Sequence, residues 1–213
     1  MDISQLKSYL DDPSSAACWL RALGLTDARR GHANLVSMAV AGMPLDLVAV
    51  IGEQLERILP RSADPDMALN NLERFFAAVR SPLSLAAFFE REPGALPPLL
   101  QFFSSSQYLS DILIREPECF DYLHVSRGEP LPREELVDEL TYEVSALRHD
   151  HEILNALRRF KQRQMLRIAY GDFICNQSVL TVAQQISFVA DAVLEAALRT
   201  AWTKCVERFG RPQ

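Results

Sequence analysis

Residues Val179 to Phe209 have the sequence VLTVAQQISFVADAVLEAALRTAWTKCVERF, and this stretch decides the fold. Its apolar residues recur every three or four positions, which is the spacing of one face of an α-helix. They form two rows, Val182-Ile186-Val189-Val193-Ala197-Ala201-Cys205 and Ala183-Ala190-Leu194-Leu198-Trp202. An apolar face this wide predicts a helix that is buried against several neighbours.

The preceding segment, from Glu134 to about Phe173, is charged and also has helical periodicity, with a predicted interruption near Arg148 and His149. A short polar turn at residues 176–178 joins it to the last helix, so we expect the two helices to run antiparallel. In the rest of the chain the apolar residues also recur with the helical period, and no segment alternates with the period of two that is typical of a strand. The sequence therefore predicts an all-α fold, a multi-helix array of antiparallel helical hairpins ending in two long helices.

The best candidate linker is residues 61–65, which end in Asp64 and Pro65. Aspartate can cap a helix and proline fits its first turn, so this pair predicts a helix start. We accordingly expect an N-terminal helical segment over residues 1–60 and a second helical region over residues 61–213.

Two local patterns predict further helix ends. The third helix is expected to fade at Gly42. Arg91-Glu92-Pro93 recurs as Arg115-Glu116-Pro117, each time between two apolar runs. Because proline is tolerated in the first turn of a helix, we interpret both copies as helix starts in two stacked hairpins. Two copies are too few to define a repeat protein.

Composition excludes several classes of function. Hydrophobic residues make up 48% of the 213 residues, which is enough to build a core, and the net charge is −6. An acidic chain lacks the basic footprint of a nucleic-acid-binding protein. The uncharged stretch from Gly31 to Leu45 is too short and too interrupted to span a membrane. We expect no nucleic-acid partner and no membrane partner.

Cysteine usage and the N-terminus indicate a cytoplasmic protein. The cysteines are far apart and form no C-x-x-C pair, and residues 1–5 lack the basic and apolar regions of an export signal. We therefore expect reduced thiols. Cys18 and Cys205 lie in apolar runs, where a core position is the usual interpretation. Three phenylalanine pairs, at 75–76, 88–89 and 102–103, are likewise predicted to be core.

Three arginines are the candidate partner-contact residues. Arg159, Arg163 and Arg167 are spaced at i, i+4 and i+8, which places them near one face of a helix. Such a basic stripe either contacts a phosphate or acidic partner, or is a solvated face paired with acids of a neighbouring helix. Asp191 and Glu195 form an acidic pair on the next helix, and we hypothesise that the two stripes meet.

Two other clusters have residue patterns that resemble metal-binding motifs. Asp64-Pro65-Asp66 has the D-x-D pattern, but it lies at a predicted helix start, where capping is the better explanation. His149 and Glu152 have the i, i+3 spacing of metal ligands on a helix, but no further ligand is identifiable. We assign no catalytic, cofactor-binding or metal-binding residue to this chain.

Several segments in a fixed order carry a family resemblance. They are Phe103–Pro117 (FSSSQYLSDILIREP), Leu157–Ala169 (LRRFKQRQMLRIA), Ile186–Leu198 (ISFVADAVLEAAL) and Cys205–Pro212 (CVERFGRP). Over about residues 69–213 the chain resembles the helical region that precedes the first catalytic domain of glutamine synthetase adenylyltransferases. One departure is Gly171-Asp172, where Arg-Asp is frequent in that family. Glycine removes a possible ion pair and weakens a helix locally.

This resemblance implies an enzyme that transfers AMP from ATP to a tyrosine of glutamine synthetase and has a second, related domain that removes it. Mg²⁺ and ATP are implied for the full-length enzyme, and glutamine synthetase and a PII protein as its partners. The family's nucleotidyltransferase motif is absent from this chain. We therefore expect a non-catalytic helical region that braces the catalytic domain. The alternatives are a stand-alone helical protein-interaction module and an enzyme with an unrecognised site.

Overall fold

The computed structural model describes residues 2–40 and 43–211. Within these ranges there are twelve α-helices and one short 3-10 helix, and no β-strand. The predicted all-α fold is confirmed. The predicted end of the third helix at Gly42 lies outside the described residues.

The chain divides into two compact units, one ending at His124 and the other beginning at Val125. Helices of the first unit are α1 Ile3–Asp11, α2 Pro13–Ala22, α3 Ala28–Val40, α4 Leu45–Ile58, α5 Pro65–Ala78, α6 Pro82–Arg91, α7 Leu96–Ser105, α8 Gln107–Arg115 and α9 Cys119–Ser126, which crosses the division. The predicted boundary after residue 60 falls inside this unit, because α5 packs against α3.

Proline has two different roles in these helices. At α5 it follows the cap Asp64 and begins the helix, as predicted. The repeated Arg-Glu-Pro prolines do the opposite, because α6 ends at Arg91 and α8 ends at Arg115. Proline disfavours helical backbone at the residue before it, so Glu92 and Glu116 leave the helix. The interpretation of these prolines as helix starts was therefore wrong.

Aromatic rings form the core of the first unit. Phe75, Phe76, Phe89, Phe102 and Phe103 are all at most 1% exposed. Several rings meet edge to face, for example those of Phe75 and Phe103, whose centroids are 5.6 Å apart. Such pairs add about 0.5–1.5 kcal/mol each beyond the burial of apolar area. The predicted core role of the phenylalanine pairs is confirmed for these five residues.

The second unit is built on three helices, α10 Arg133–Ser145, α11 Asp150–Phe173 and α12 Val179–Phe209. The predicted interruption near Arg148 and His149 is confirmed by the gap between α10 and α11. Helices α10 and α11 both contact α12. The core contains apolar side chains from all three helices, namely Leu136, Leu140, Phe160, Ile168, Val189 and Ala192.

A close approach of two backbones joins the turn before α10 to the end of α11. A β-carbon added at Gly128 would lie 2.4 Å from the backbone nitrogen of Gly171, and Gly128 has φ of +70°. The side-chain amide of Gln177 donates a hydrogen bond of 2.8 Å to the carbonyl of Gly128. At position 171 a β-carbon would lie 2.6 Å from Oε1 of Gln177. A side chain at 171 would therefore displace Gln177 from its hydrogen bond to Gly128.

Helix α12 differs most from its prediction. Only one side of it is buried, through Gln185, Val189, Ala192 and Ala196. Leu194 and Leu198 of the second predicted row are 68% and 65% exposed. The expectation of burial against several neighbours was therefore wrong for that row, and Ile186, Ala201 and Cys205 of the first row are exposed as well.

The length and composition of α12 also bear on the prediction that the chain has no membrane partner. By length and composition α12 could cross a membrane, with a mean hydropathy of 1.3 over a window that is 22% buried. The uncharged run from Phe173 to Ala190 leads into this helix and is longer than the stretch from Gly31 to Leu45. The expected absence of a membrane partner therefore stays a prediction.

Candidate functional site

The structure separates the three candidate arginines of α11. Arg159 is exposed, Arg163 is half-buried and Arg167 is only 1% exposed. Four residues span slightly more than one helical turn, so each i+4 step moves the side chain about 40° around the axis. The row therefore rotates from solvent into the core. Of the three, Arg159 presents the most surface to a partner.

Arg163 is paired within the second unit. Its guanidinium lies 2.5 Å from a carboxylate oxygen of Glu139 on α10. It also lies 5.6 Å from the ring centroid of Phe160, in cation–π geometry. The ion pair with Glu139 joins α11 to α10.

Arg167 is the centre of a buried polar network. It donates hydrogen bonds to Oε1 of Gln164 at 2.7 Å, to Oε1 of Gln185 at 2.8 Å and to the backbone carbonyl of Glu129 at 2.5 Å. Gln185 in turn bonds both backbone groups of Leu131, at 3.0 and 2.9 Å. This network ties the segment before α10 to both long helices, so Arg167 has a structural role.

The acidic pair of α12 has basic partners outside the predicted stripe. Asp191 accepts from Arg133 of α10 at 2.6 Å, and Glu195 accepts from Arg199 of its own helix at 2.7 Å. The bond to Asp191 raises the pKa of Arg133 above its usual value. Asp191 therefore joins α12 to α10.

The two acids of the D-x-D pattern bind different segments: Asp64 caps α5, and Asp66 holds the two residues that precede α3. Asp64 accepts from the backbone nitrogen of Met67 at 2.8 Å and caps α5. Asp66 accepts from the backbone nitrogen and hydroxyl of Thr26, at 2.8 and 2.7 Å, and from the backbone nitrogen of Asp27 at 3.1 Å. Burial raises the pKa of Asp66, but these hydrogen bonds outweigh it and hold the pKa below its usual value. Because the two carboxylates bind backbone groups of different segments, they do not fit a shared Mg²⁺ site. The capping interpretation is confirmed for Asp64.

The histidine cluster also lies at the start of a helix. His149 is the N-cap of α11, and its backbone nitrogen donates to Glu152 at 3.3 Å in a capping box. The rings of His149 and His151 stack at 5.7 Å. Over residues 2–40 and 43–211, no three His, Cys, Asp or Glu side chains are grouped as metal ligands.

Thiol positions differ from the sequence prediction. Cys119 is buried, whereas Cys18, Cys175 and Cys205 are exposed. The core interpretation of Cys18 and Cys205 was wrong, because the α2 and α12 faces that carry them point to solvent.

A polar groove of about 820 Å³ lies between α10, the start of α11 and the end of α12. Its lining includes the cations Arg148, Arg199 and Lys204 and the acids Asp138 and Glu207. The mixed charges give the groove no strong preference for an anion. No sequence pattern predicted this groove, because the lining residues come from three separate segments.

Comparison with known proteins decides the family. A sequence profile described as glutamate-ammonia ligase adenylyltransferase matches residues 96–213, more than half of the chain. The chain belongs to this family. The resemblance noted from the sequence is confirmed.

One curated relative of this adenylyltransferase family is the bifunctional glutamine synthetase adenylyltransferase/adenylyl-removing enzyme of Thioalkalivibrio sulfidiphilus (strain HL-EbGR7). It is 26% identical over 205 residues, which cover 91% of this chain and 21% of the relative. The chain thus spans about a fifth of the length of the curated relative that it matches.

Proposed function

We propose that this chain is the non-catalytic helical part of an enzyme that adds AMP to, and removes AMP from, a tyrosine of glutamine synthetase. Family membership supports the enzyme class. The hydrogen bonds that Asp64 and Asp66 accept from backbone nitrogens support the non-catalytic assignment, because these two carboxylates form the one D-x-D pattern considered for metal binding. Their hydrogen bonds to helix starts leave them poorly placed for a nucleotide-bound metal.

The proposed role is to brace the catalytic part and to contact glutamine synthetase. Arg159, with Arg158 and Lys161, is exposed on α11 and offers cations to an acidic partner surface. The full-length enzyme would use ATP and Mg²⁺, respond to a PII protein and work in the cytoplasm.

An AMP-transfer assay tests this function. The chain is incubated with Mg²⁺, radiolabelled ATP and unmodified glutamine synthetase, and in a second reaction with phosphate and the adenylylated form. We expect no transfer and no removal above background, while the complete Thioalkalivibrio enzyme serves as the positive control. Activity of the chain that survives repurification and depends on its concentration would contradict the proposal.

The alternative is a stand-alone helical interaction module, which the exposed apolar side of α12 favours. The codons that follow position 213 in the gene separate the two possibilities. A Gly-Lys-Leu-Gly signature there supports the enzyme part, whereas a stop codon supports the module.

A further inference from the structure

The polar groove of the second unit has the size and composition of a small-molecule site. Its volume of about 820 Å³ lies within the range of about 300–1,000 Å³ that is usual for ligand pockets. Val144, Ile153 and Ala196 in its lining are at most 6% exposed and give it an apolar floor. Polar side chains of α10 and α12 form the two walls. A ligand in this groove would therefore meet apolar surface below and polar groups on both sides.

The hydroxyl groups of the walls can only accept hydrogen bonds from a ligand. Each of the four donates its proton to a carbonyl of its own helix. These bonds run from Thr141 to Val137 at 2.7 Å, from Ser145 to Tyr142 at 2.8 Å, from Thr200 to Ala196 at 2.9 Å and from Thr203 to Arg199 at 2.9 Å. A hydroxyl group has one donor and two acceptor lone pairs, so lone pairs are what remain. The walls therefore favour a ligand that is rich in N–H donors.

Two carboxylates of the lining are free to bind a cation. Asp138 of α10 and Glu207 of α12 are both exposed. Among the residues that the structure describes, neither carboxylate has a hydrogen bond or an ion pair with another side chain. An ionised carboxylate accepts hydrogen bonds and donates none, so both add to the acceptors of the walls.

The cations of the lining are largely neutralised by other acids. Arg199 pairs with Glu195 of its own helix at 2.7 Å, and Lys204 pairs with Asp150 at the start of α11. Arg148, in the turn before α11, is the third cation of the lining and is exposed. When these partners and the two free carboxylates are counted together, acids exceed cations by one. The net charge therefore favours a positively charged ligand over an anion.

The two free carboxylates lie toward opposite ends of the groove. Helices α10 and α12 run in the same direction, since Arg133 near the start of α10 pairs with Asp191, and later residues of both helices line the groove. Asp138 is five residues beyond Arg133, and Glu207 is sixteen residues beyond Asp191. At a rise of 1.5 Å per residue, the two carboxylates are about 16 Å apart along the helices.

We propose that this groove binds a free linear polyamine. An ammonium group at each end pairs with Asp138 and Glu207, the amines between them donate to the hydroxyl groups, and the methylene groups lie over the apolar floor. A lysine side chain of a protein offers the same ammonium chemistry, but a single one reaches only one of the two carboxylates. The separation of the carboxylates therefore selects a long molecule with a charge at both ends.

Isothermal titration calorimetry of the 213-residue chain with the tetraamine spermine tests this site. We expect saturable binding of one spermine per chain. Putrescine, a shorter diamine that cannot span both carboxylates, should bind about tenfold more weakly or less. The double variant Asp138→Asn/Glu207→Gln should bind spermine about tenfold more weakly than the wild type, because both terminal ion pairs are lost.

The matched control is Glu90→Gln/Glu92→Gln. It removes the same two charges from exposed positions of the first unit, outside the lining of the groove. Its affinity for spermine should stay within about twofold of the wild type. Equal weakening in the two double variants would show general attraction of an acidic chain for a polycation and overturn the proposal.

A second variant keeps both carboxylates and fills the groove. Thr203 is exposed in the wall, so Thr203→Phe places a ring where the ligand should lie. This variant should lose spermine binding, while circular dichroism and the melting temperature show that it and the double variants are folded. Wild-type affinity in folded Thr203→Phe would place the bound spermine elsewhere and overturn the site.

Hydrogen–deuterium exchange with and without spermine locates the bound ligand. Peptides within residues 138–148 and 196–207 should exchange more slowly when spermine is present, and peptides of the first unit should not change. Protection confined to other segments would contradict the assignment to this groove.

Other ligands of the same chemistry would give different results. Tighter binding of an acetylated trilysine peptide than of spermine overturns the free polyamine in favour of lysine side chains of a protein. Absence of saturable heat with spermine overturns the site altogether. None of these outcomes depends on AMP transfer, so the proposed function is tested separately.

Discussion

Replacement of Arg167 by methionine tests whether its buried network stabilises the second unit. Methionine keeps an unbranched side chain of similar length but removes all donors. The carbonyl of Glu129 and Oε1 of Gln164 then lose bonds of 2.5 and 2.7 Å, while Oε1 of Gln185 keeps its bond from Leu131. A hydrogen bond to a charged group contributes about 1.5–3 kcal/mol, so the loss of these two bonds to the guanidinium gives an expected loss of about 3 kcal/mol.

Hydrogen–deuterium exchange measures this loss where it occurs. A loss of about 3 kcal/mol raises the population of the open state roughly 100-fold, because each 1.4 kcal/mol is a factor of ten. Peptides from α10, α11 and α12 should therefore exchange about 100-fold faster in Arg167→Met wherever opening governs exchange. Peptides from the first unit, residues 2–124, serve as the internal control for the exchange conditions in the same sample.

Arg159→Met is the matched control on the same helix. Arg159 is exposed, so its replacement should change stability by less than about 0.5 kcal/mol. If Arg167→Met and Arg159→Met exchange at rates within about threefold of each other, the buried network contributes little and the structural role assigned to Arg167 is wrong.

Two further variants test other features of the fold. Asp66→Asn should lower the free energy of unfolding by about 1 kcal/mol in urea titrations, because the hydrogen bonds to Thr26 and Asp27 lose their charged acceptor. Folding lowers the pKa of Asp66, so the ionised carboxylate stabilises the fold at neutral pH. This stabilisation is lost as the pH falls through the folded pKa. A difference in unfolding free energy between wild type and Asp66→Asn that persists at about pH 2 would contradict this. Gly128→Ala should cost about 3 kcal/mol, because a β-carbon there meets the backbone of Gly171 and positive φ adds strain. A melting temperature within about 2 °C of wild type would show that the turn relaxes freely.

Local chemistry made much of the helical layout predictable. Asp64 and Pro65 mark the start of α5 because capping and a fixed φ act within one turn of the chain. The gap between α10 and α11 and the turn before α12 follow from short-range signals of the same kind. The repeated Arg-Glu-Pro failed as a helix start because proline after a helix and proline opening one have the same spelling.

The candidate site was less predictable, since it depends on which side of each helix meets a neighbour. Sequence spacing put Arg159 and Arg167 in one row, but the packing of α11 left the first in water and buried the second. The residues that line the groove come from three helices, so no single segment of the sequence has a pattern that predicts it.

Helix α12 shows which features the sequence determines and which features only the tertiary structure decides. Its sequence by itself determined a long apolar helix, because periodicity and helix propensity are local properties. Only the tertiary structure decided that Val189 faces the core and Leu194 faces solvent. Both residues belong to apolar rows, and α10 and α11 can cover only one side of a cylinder. The side that these two helices leave uncovered therefore stays on the surface.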